Sequence, residues 1–412
     1  MCAQRVAIIG AGTAGLSSAI FLSQLGYECD LYEEFKIPHA KGAGILLQPQ
    51  GIQILDQLKL LNEILHKGSN IDTLYGENNK KQIIMEFNYH DLCEGLFGLG
   101  IHRGSLFDSL YHKAISKINN LYLGHRVNKV KQDDFGATVI TDQDLCKTYD
   151  MVVIANGTWS ELTKDLTLKI KKKPYPWGAL WKILDHTDNF STGLLSQRYQ
   201  NCHIMAGMLP SGINPNTNKP CISFFWSLKA GKYQEWKSID INFWKNKVTT
   251  LWPEIKPYIN QINSHEDLTF AQYADTIMNH WHDKKIVVIG DAAHAMSPQL
   301  GQGANMALVD AWQLSQSLKH NKTIEEALIS YSKARKKHLR FYQYASRLLT
   351  PFFQSNSKTA ALFRDIVFPP MRYIPLAKKH ALTTLFGVKT SVWSNKPNIN
   401  LTALAQKIKP IN

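Results

Sequence analysis

The sequence lacks any Cys-x-x-Cys pair: Cys2, Cys29, Cys93, Cys146, Cys202 and Cys221 are scattered through 412 residues. That scatter argues against a disulfide framework and predicts reduced thiols in a cytoplasmic protein. No apolar run is long enough to span a bilayer, and Gly10 interrupts the short N-terminal one, so neither a membrane span nor a secretory signal is expected. Internal repeats, low-complexity tracts and a Gly-x-Ser-x-Gly elbow are also missing. His280, His282 and Asp283 stand close together before an apolar run; we read them as a loop and expect no metal. Acidic residues nearly vanish from the last fifth of the chain. From Ser330 to Asn412 there are 15 Lys or Arg against one acid, Asp365, while the whole chain has 47 against 33. The first 329 residues are therefore balanced, 32 of each sign. A protein that is basic throughout and grips nucleic acid has a different distribution, and no nucleic-acid partner is expected.

What is present begins with "RVAIIGAGTAGLSSAIFLSQLGYECDLYEE". An apolar strand at 6–9 runs into Gly10, Gly12, Thr13, Ala14 and Gly15, then an apolar helix to about Leu25, then a second strand ending at Glu33. Gly10 suits a tight turn, Gly12 a close phosphate approach and Gly15 helix-on-strand packing. The new helix offers unpaired N–H groups and a positive dipole end to a pyrophosphate, and Glu33 can accept from a ribose. This pattern predicts dinucleotide binding without choosing between NAD and FAD. A second strand–loop–helix, "VVIGDAAHAMSPQLGQGANMALVDA", stands some 280 residues later.

Together with "KGAGILLQP" (41–49) and "IHRGSLFDSL" (101–110), these two segments resemble the class A FAD-dependent, aromatic-hydroxylase-like monooxygenases of the para-hydroxybenzoate hydroxylase fold. The resemblance covers about residues 1–330. It implies that the second loop completes the site of the same non-covalent FAD. Asp291 would then accept from ribityl hydroxyls, and Pro298 would stiffen the loop. Gly301 and Gly303 would let backbone N–H groups approach the ring, and the helix starting near Ala304 would aim its positive end at it. Asn305 adds a side-chain contact in this reading, whereas His294 reads as packing. Arg103 matches an arginine reaching the ribityl–phosphate region, Ala43 and Gly44 a stretch flanking the ring, and Val127 a strand whose backbone meets adenine. Two departures stand out. Glu34 occupies the place of an arginine that usually touches the pyrophosphate. The fingerprint DGxxSxxR, associated with FAD and NAD(P)H, reads "ANGTWSELTK", with Asn156 and Thr163 in place of aspartate and arginine.

The expected fold class is α/β: a Rossmann-like FAD-binding domain (1–75, 101–170 and 269–330), an inserted β-sheet substrate domain (76–100 and 171–268) and a basic C-terminal helical region (331–412). Trp181, Tyr199, Met205, Phe224 and Trp226, with Trp177 and Met208, are candidates to line an apolar pocket over the flavin. No catalytic base is singled out. In the tail, basic residues mix with Leu, Phe, Tyr and Ile at helical spacings, with breaks expected at Pro351, Pro369–Pro370 and Pro375. It reads as a helical cap on the FAD domain, as a peripheral contact with an anionic membrane, or as a contact with an acidic macromolecular partner. The activity the resemblance implies is NAD(P)H- and O2-dependent hydroxylation of an aromatic or polycyclic apolar substrate through a flavin C4a-hydroperoxide. Two alternatives stay open: a flavin-dependent reductase or dehydrogenase of an isoprenoid lipid, and a non-catalytic flavin-binding, membrane-associated interaction protein.

Overall fold

A computed structural model describes residues 4–38, 43–187, 190–391 and 400–408. Its first strand, Arg5–Ile9, is Val-Ala-Ile-Ile after an exposed arginine and is buried on both faces, as a strand of a covered parallel sheet must be. It sits inside a six-stranded sheet whose order is 282–283, 286–288, 151–154, 5–9, 28–33 and 120–123. All neighbours run parallel except the short edge strand His282–Asp283. Helix Thr13–Gln24 is apolar nearly all round because sheet and helices enclose it. Helix Gly303–His320 packs along it.

The second large sheet has seven strands in the order 269–278, 170–185, 220–229, 204–213, 194–200, 73–78 and 83–88. Two strands fall outside the expected domain boundaries. Thr269–Met278 was expected in the FAD domain but pairs along Ile170–Asp185, while Gly98–His102 leaves this sheet to pair with Gly44–Leu47 and Ser69–Ile71. Strand identity is local; the sheet a strand joins is decided by its partners. A further three-stranded antiparallel sheet holds 127–132, 137–141 and 146–149.

The described part of the tail forms four helices, Ile324–Phe353, Lys358–Met371, Pro375–Leu385 and Leu401–Lys407. The first starts at a capping box, Thr323 and Glu326 exchanging side-chain to backbone bonds, and its 30 residues make it about 45 Å long. Pro351 and Pro369–Pro370 do not break their helices where expected; they sit in the last turns. A proline there removes one late N–H bond without forcing a kink through a continuing helix.

Candidate active site

Both glycine loops lie at the carboxyl ends of parallel strands of one sheet, 5–9 and 286–288, with 151–154 between them. Gly10 has φ +103°, and a Cβ there would come within 2.7 Å of the Ala155 carbonyl oxygen, so only glycine fits. A Cβ on Gly15 would sit 1.9 Å from the Gly10 carbonyl oxygen, which fixes how closely the helix lies on its strand. Gly12 is different: it caps the helix in extended backbone, is exposed, and a Cβ there would meet nothing within 4 Å. Thr13 is half-buried and Ala14 buried beside it. Open space beside the N–H groups of a helix N-terminus is the feature a diphosphate requires. Glu33 spans the rim, its carboxylate accepting from the Ala11 N–H at 2.8 Å and the Phe35 N–H at 3.1 Å. Glu34 points into solvent.

The second loop meets the first directly. Gly290 has φ +61°, and a Cβ there would touch that of Ala14 at 2.8 Å. Asp291 is exposed, and its Oδ1 lies 3.7 Å from where a Gly303 Cβ would be. Pro298 opens a single helical turn that ends at Gly301, exposed in the left-handed region with φ +60°. Gly303 and Ala304, half-buried, start the 18-residue helix whose first N–H groups have no partner within it. Asn305 is spent differently from expectation. It is fully buried, accepts from the Gln48 N–H at 2.9 Å and donates to the Leu46 and Gly301 carbonyls at 3.2 Å. It thereby pins the 44–48 stretch to this loop.

Ala43 and Gly44 are half-buried at the mouth. The Gly44 N–H donates to Ser223 Oγ at 2.6 Å, and a Cβ on Gly44 would collide with the Ser211 and Ser223 hydroxyls. Arg103 opens helix Arg103–Ile115 after His102, whose Nδ1 accepts from the Gly104 N–H. Burial pushes the Tyr273 phenol up to about 12, against the nearby Arg103 charge. Val127, buried, starts the strand Val127–Gln132. In the altered fingerprint Asn156 is exposed with its Cα against Gly10, and Gly157 has φ +83° with open space around it. Thr163 is buried at 4% exposure, so an arginine there could enter only by displacing its neighbours.

The seven-stranded sheet turns one face towards these loops. Ser211 and Ser223, which hold Gly44, define it, and cross-strand register carries Trp181, Met205, Tyr199 and Phe225 onto the same face. Alternation then sends Phe224 and Trp226 to the opposite face. There they are buried with Met208, Trp236, Trp244 and Trp252 under helices Tyr233–Ser238 and Ile241–Leu251. The expected pocket residues are therefore split, and Phe224 and Trp226 are core. Tyr199 is covered as well, fully buried beneath Phe353 and Arg364 of the C-terminal helices. Trp181 and Phe225 keep partial exposure, the Phe225 ring lying across Gly207. Phe224→Ala should cost about 3–5 kcal/mol in thermal or denaturant unfolding, whereas Phe225→Ala should leave stability within about 1 kcal/mol and alter flavin or substrate affinity. Equal destabilisation by both would make Phe225 a core residue too and remove it from the site.

One part of the site gave no sequence signal. Asp310, in the helix Gly303–His320, accepts from the Gly290 N–H at 2.8 Å, from Arg335 Nε at 2.7 Å, and pairs with His294 Nε2 at 2.5 Å. Arg335 continues to His338 Nδ1, and His338 Nε2 donates to the Gly387 carbonyl at 2.9 Å. That pattern makes His338 a neutral imidazole protonated on Nε2. All four side chains are buried. The network ties the Gly290–Asp291 turn to the first C-terminal helix, so the tail buttresses the loop from behind.

The chain matches the FAD-binding domain family over residues 3–341. It is 23% identical over 346 residues to the FAD-dependent urate hydroxylase of Klebsiella pneumoniae, covering 80% of this chain and 85% of that protein. It is 24% identical over 446 residues to hispidin-3-hydroxylase of Neonothopanus nambi, covering 95% of each. Among solved structures, Klebsiella pneumoniae HpxO, complexed with FAD and uric acid, superposes with a TM-score of 0.79 at 18% identity, covering 93% of this chain and 97% of that one. 2-Methyl-3-hydroxypyridine-5-carboxylic acid oxygenase superposes at 0.73 and 24% identity, covering 91% and 98%. The residues present fit a FAD: open space at Gly12 at the start of a helix, exposed Asp291, and Gly301 in the left-handed conformation before a free helix end. The chain belongs to the FAD-binding domain family.

Proposed function

We propose that this FAD-dependent monooxygenase uses NAD(P)H and O2 to hydroxylate a small aromatic or polycyclic apolar substrate. The observation that carries the reading is the junction of the two glycine loops, Gly290 against Ala14, with Asn305 tying the 44–48 stretch to the second loop and Ser223 of the seven-stranded sheet holding Gly44 of that stretch. Bound FAD would supply the redox chemistry and the activation of oxygen; Gly12, Thr13, Asp291, Gly301, Gly303 and Ala304 are the residues to hold it. The helix end at Gly303 stabilises negative charge in front of it. The sheet face with Trp181 and Phe225 would cover the reacting region, exclude water and orient the substrate, its partial exposure leaving room for an aromatic ring. Relatives named for urate and hispidin hydroxylation support an aromatic substrate class. NAD(P)H would approach past Asn156 and Gly157, where the fingerprint is altered. The basic C-terminal region supports peripheral contact with an anionic membrane from the cytoplasmic side.

The test is a screen of phenols and fused-ring heterocycles for NAD(P)H oxidation, oxygen uptake and product mass. A true substrate should raise the rate of flavin reduction about tenfold or more and gain one oxygen atom. NAD(P)H oxidation with a reduced product and no oxygen uptake would favour the isoprenoid reductase instead.

A further inference from the structure

Helix Lys358–Met371 is built inside out. Its buried side centres on Arg364, 0% exposed, which donates to the Asn201 and Phe352 carbonyls at 2.7 and 3.0 Å and to Asp365 at 2.7 Å. Its solvent side carries Leu362, Phe363, Ile366 and Val367, each 37–62% exposed. Their spacing at i, i+1, i+4 and i+5 puts them on one face. The surface continues onto the preceding helix through Tyr344 and Leu348, and Phe352 stacks on Phe363 at 5.5 Å across the join. Beyond the helix it runs on through Tyr373, Ile374 and Leu376. Nine of the seventeen large exposed apolar side chains among the described residues thus fall between positions 344 and 376. Scattered exposed apolar residues are ordinary; a gathered set marks a surface that meets something other than water.

The charge around this face says what it meets. Between 340 and 380 there are seven Lys or Arg and one acid, Asp365, which is bound to Arg364. Arg347, Arg372 and Lys378 pair with Asp275, Glu86 and Asp91 from the rest of the chain. Arg340, Lys358 and Lys379 are exposed and have no ion pair among the described residues. Two copies meeting through the face would bring these cations together, whereas an anionic surface neutralises them. Among the described residues no helix is long and apolar enough to cross a membrane, so such a face lies in an interface and does not span it.

We propose that the outward face of 344–376, centred on Leu362, Phe363 and Ile366, docks on an anionic lipid surface, its apolar side chains entering the headgroup boundary and the flanking cations holding it there. This deepens the membrane reading above and is independent of the hydroxylation chemistry. The test is co-sedimentation of the FAD-loaded protein with phosphatidylcholine vesicles, with and without phosphatidylglycerol, over a salt series. Wild type should bind the anionic vesicles and lose affinity about tenfold or more as salt rises. The triple variant Leu362→Ser, Phe363→Ser, Ile366→Ser changes side chains that are half or more exposed and should keep its flavin content and cooperative unfolding, with only a small loss of melting temperature from the Phe352–Phe363 stack. It should bind anionic vesicles about tenfold more weakly at low salt. Triple-variant binding equal to wild type, absent binding by wild type, or equal binding to neutral vesicles would overturn the proposal. So would a wild-type dimer that becomes a monomer in the variant, which would assign the face to self-association.

Discussion

Gly12→Asp should give a folded, colourless protein. The substitution separates binding from folding because of where Gly12 sits. Its backbone is extended, φ −78° and ψ −177°, a conformation any residue adopts, and a Cβ there has empty space around it. Aspartate at this cap position can even accept from the first free N–H groups of the helix, a gain of about a few tenths of a kcal/mol over glycine. The same carboxylate occupies that open space and puts a negative charge where the pyrophosphate must lie. FAD affinity should fall about a hundredfold or more, close to 3 kcal/mol, with the melting temperature of the flavin-free protein unchanged or slightly raised. Gly15→Ala is the contrasting control, since its Cβ would stand 1.9 Å from a backbone oxygen and must force the helix off its strand. That variant should fail to accumulate as folded protein. A yellow Gly12→Asp protein with wild-type flavin content would remove the pyrophosphate from this loop.

Asp310→Asn should cost about 3–5 kcal/mol, because it leaves the buried Arg335 without its counter-charge. It should also weaken FAD binding, since the amide offers one acceptor oxygen where the carboxylate used two, so the Gly290 N–H and Arg335 Nε can no longer both be satisfied and the turn before Asp291 is disturbed. The same network predicts an acid limit. Burial pushes the Asp310 carboxyl up, but His294, Arg335 and the Gly290 N–H outweigh it and hold it below its ordinary 3.8. Its contribution is present above that value and is lost as pH falls through the lower folded one. His338 is held at about 3 against an ordinary 6.5, by burial first and the Arg335 charge second. Between those values the unfolded chain takes up a proton that the folded chain refuses, so stability falls as pH drops from 6.5 towards 3. His338→Gln keeps a hydrogen-bonding side chain and removes the titration. Its melting temperature should decline less than that of wild type between about pH 7 and pH 5. Parallel decline in the two proteins would mean that His338 does not control the acid limit.

The sequence by itself determined the parts of the site whose geometry is written within a few residues. A glycine at 10 that must take positive φ, an open one at 12 that starts a helix, and a Gly290–Asp291 turn after an apolar strand each dictate their own backbone. The helix N-terminus that follows is a free set of N–H groups wherever the segment lies. Charge counting likewise isolated the basic tail. Tertiary structure decided what depends on who sits opposite. Alternation along 220–229 shows that Phe224 and Phe225 part company, but only the Gly44–Ser223 bond reveals which of them faces the loops. Asn305 read as a flavin contact until the Leu46 carbonyl and Gln48 N–H, more than 250 residues away, were found to occupy it. Asp310 looked like any helix residue, because its meaning lies in Gly290, His294 and Arg335. The C-terminal helix had the same apolar content whichever way it turned. The carbonyls of Asn201 and Phe352 drew Arg364 inwards, because a buried guanidinium needs acceptors that only the folded chain brings together, and so left Leu362, Phe363 and Ile366 outside.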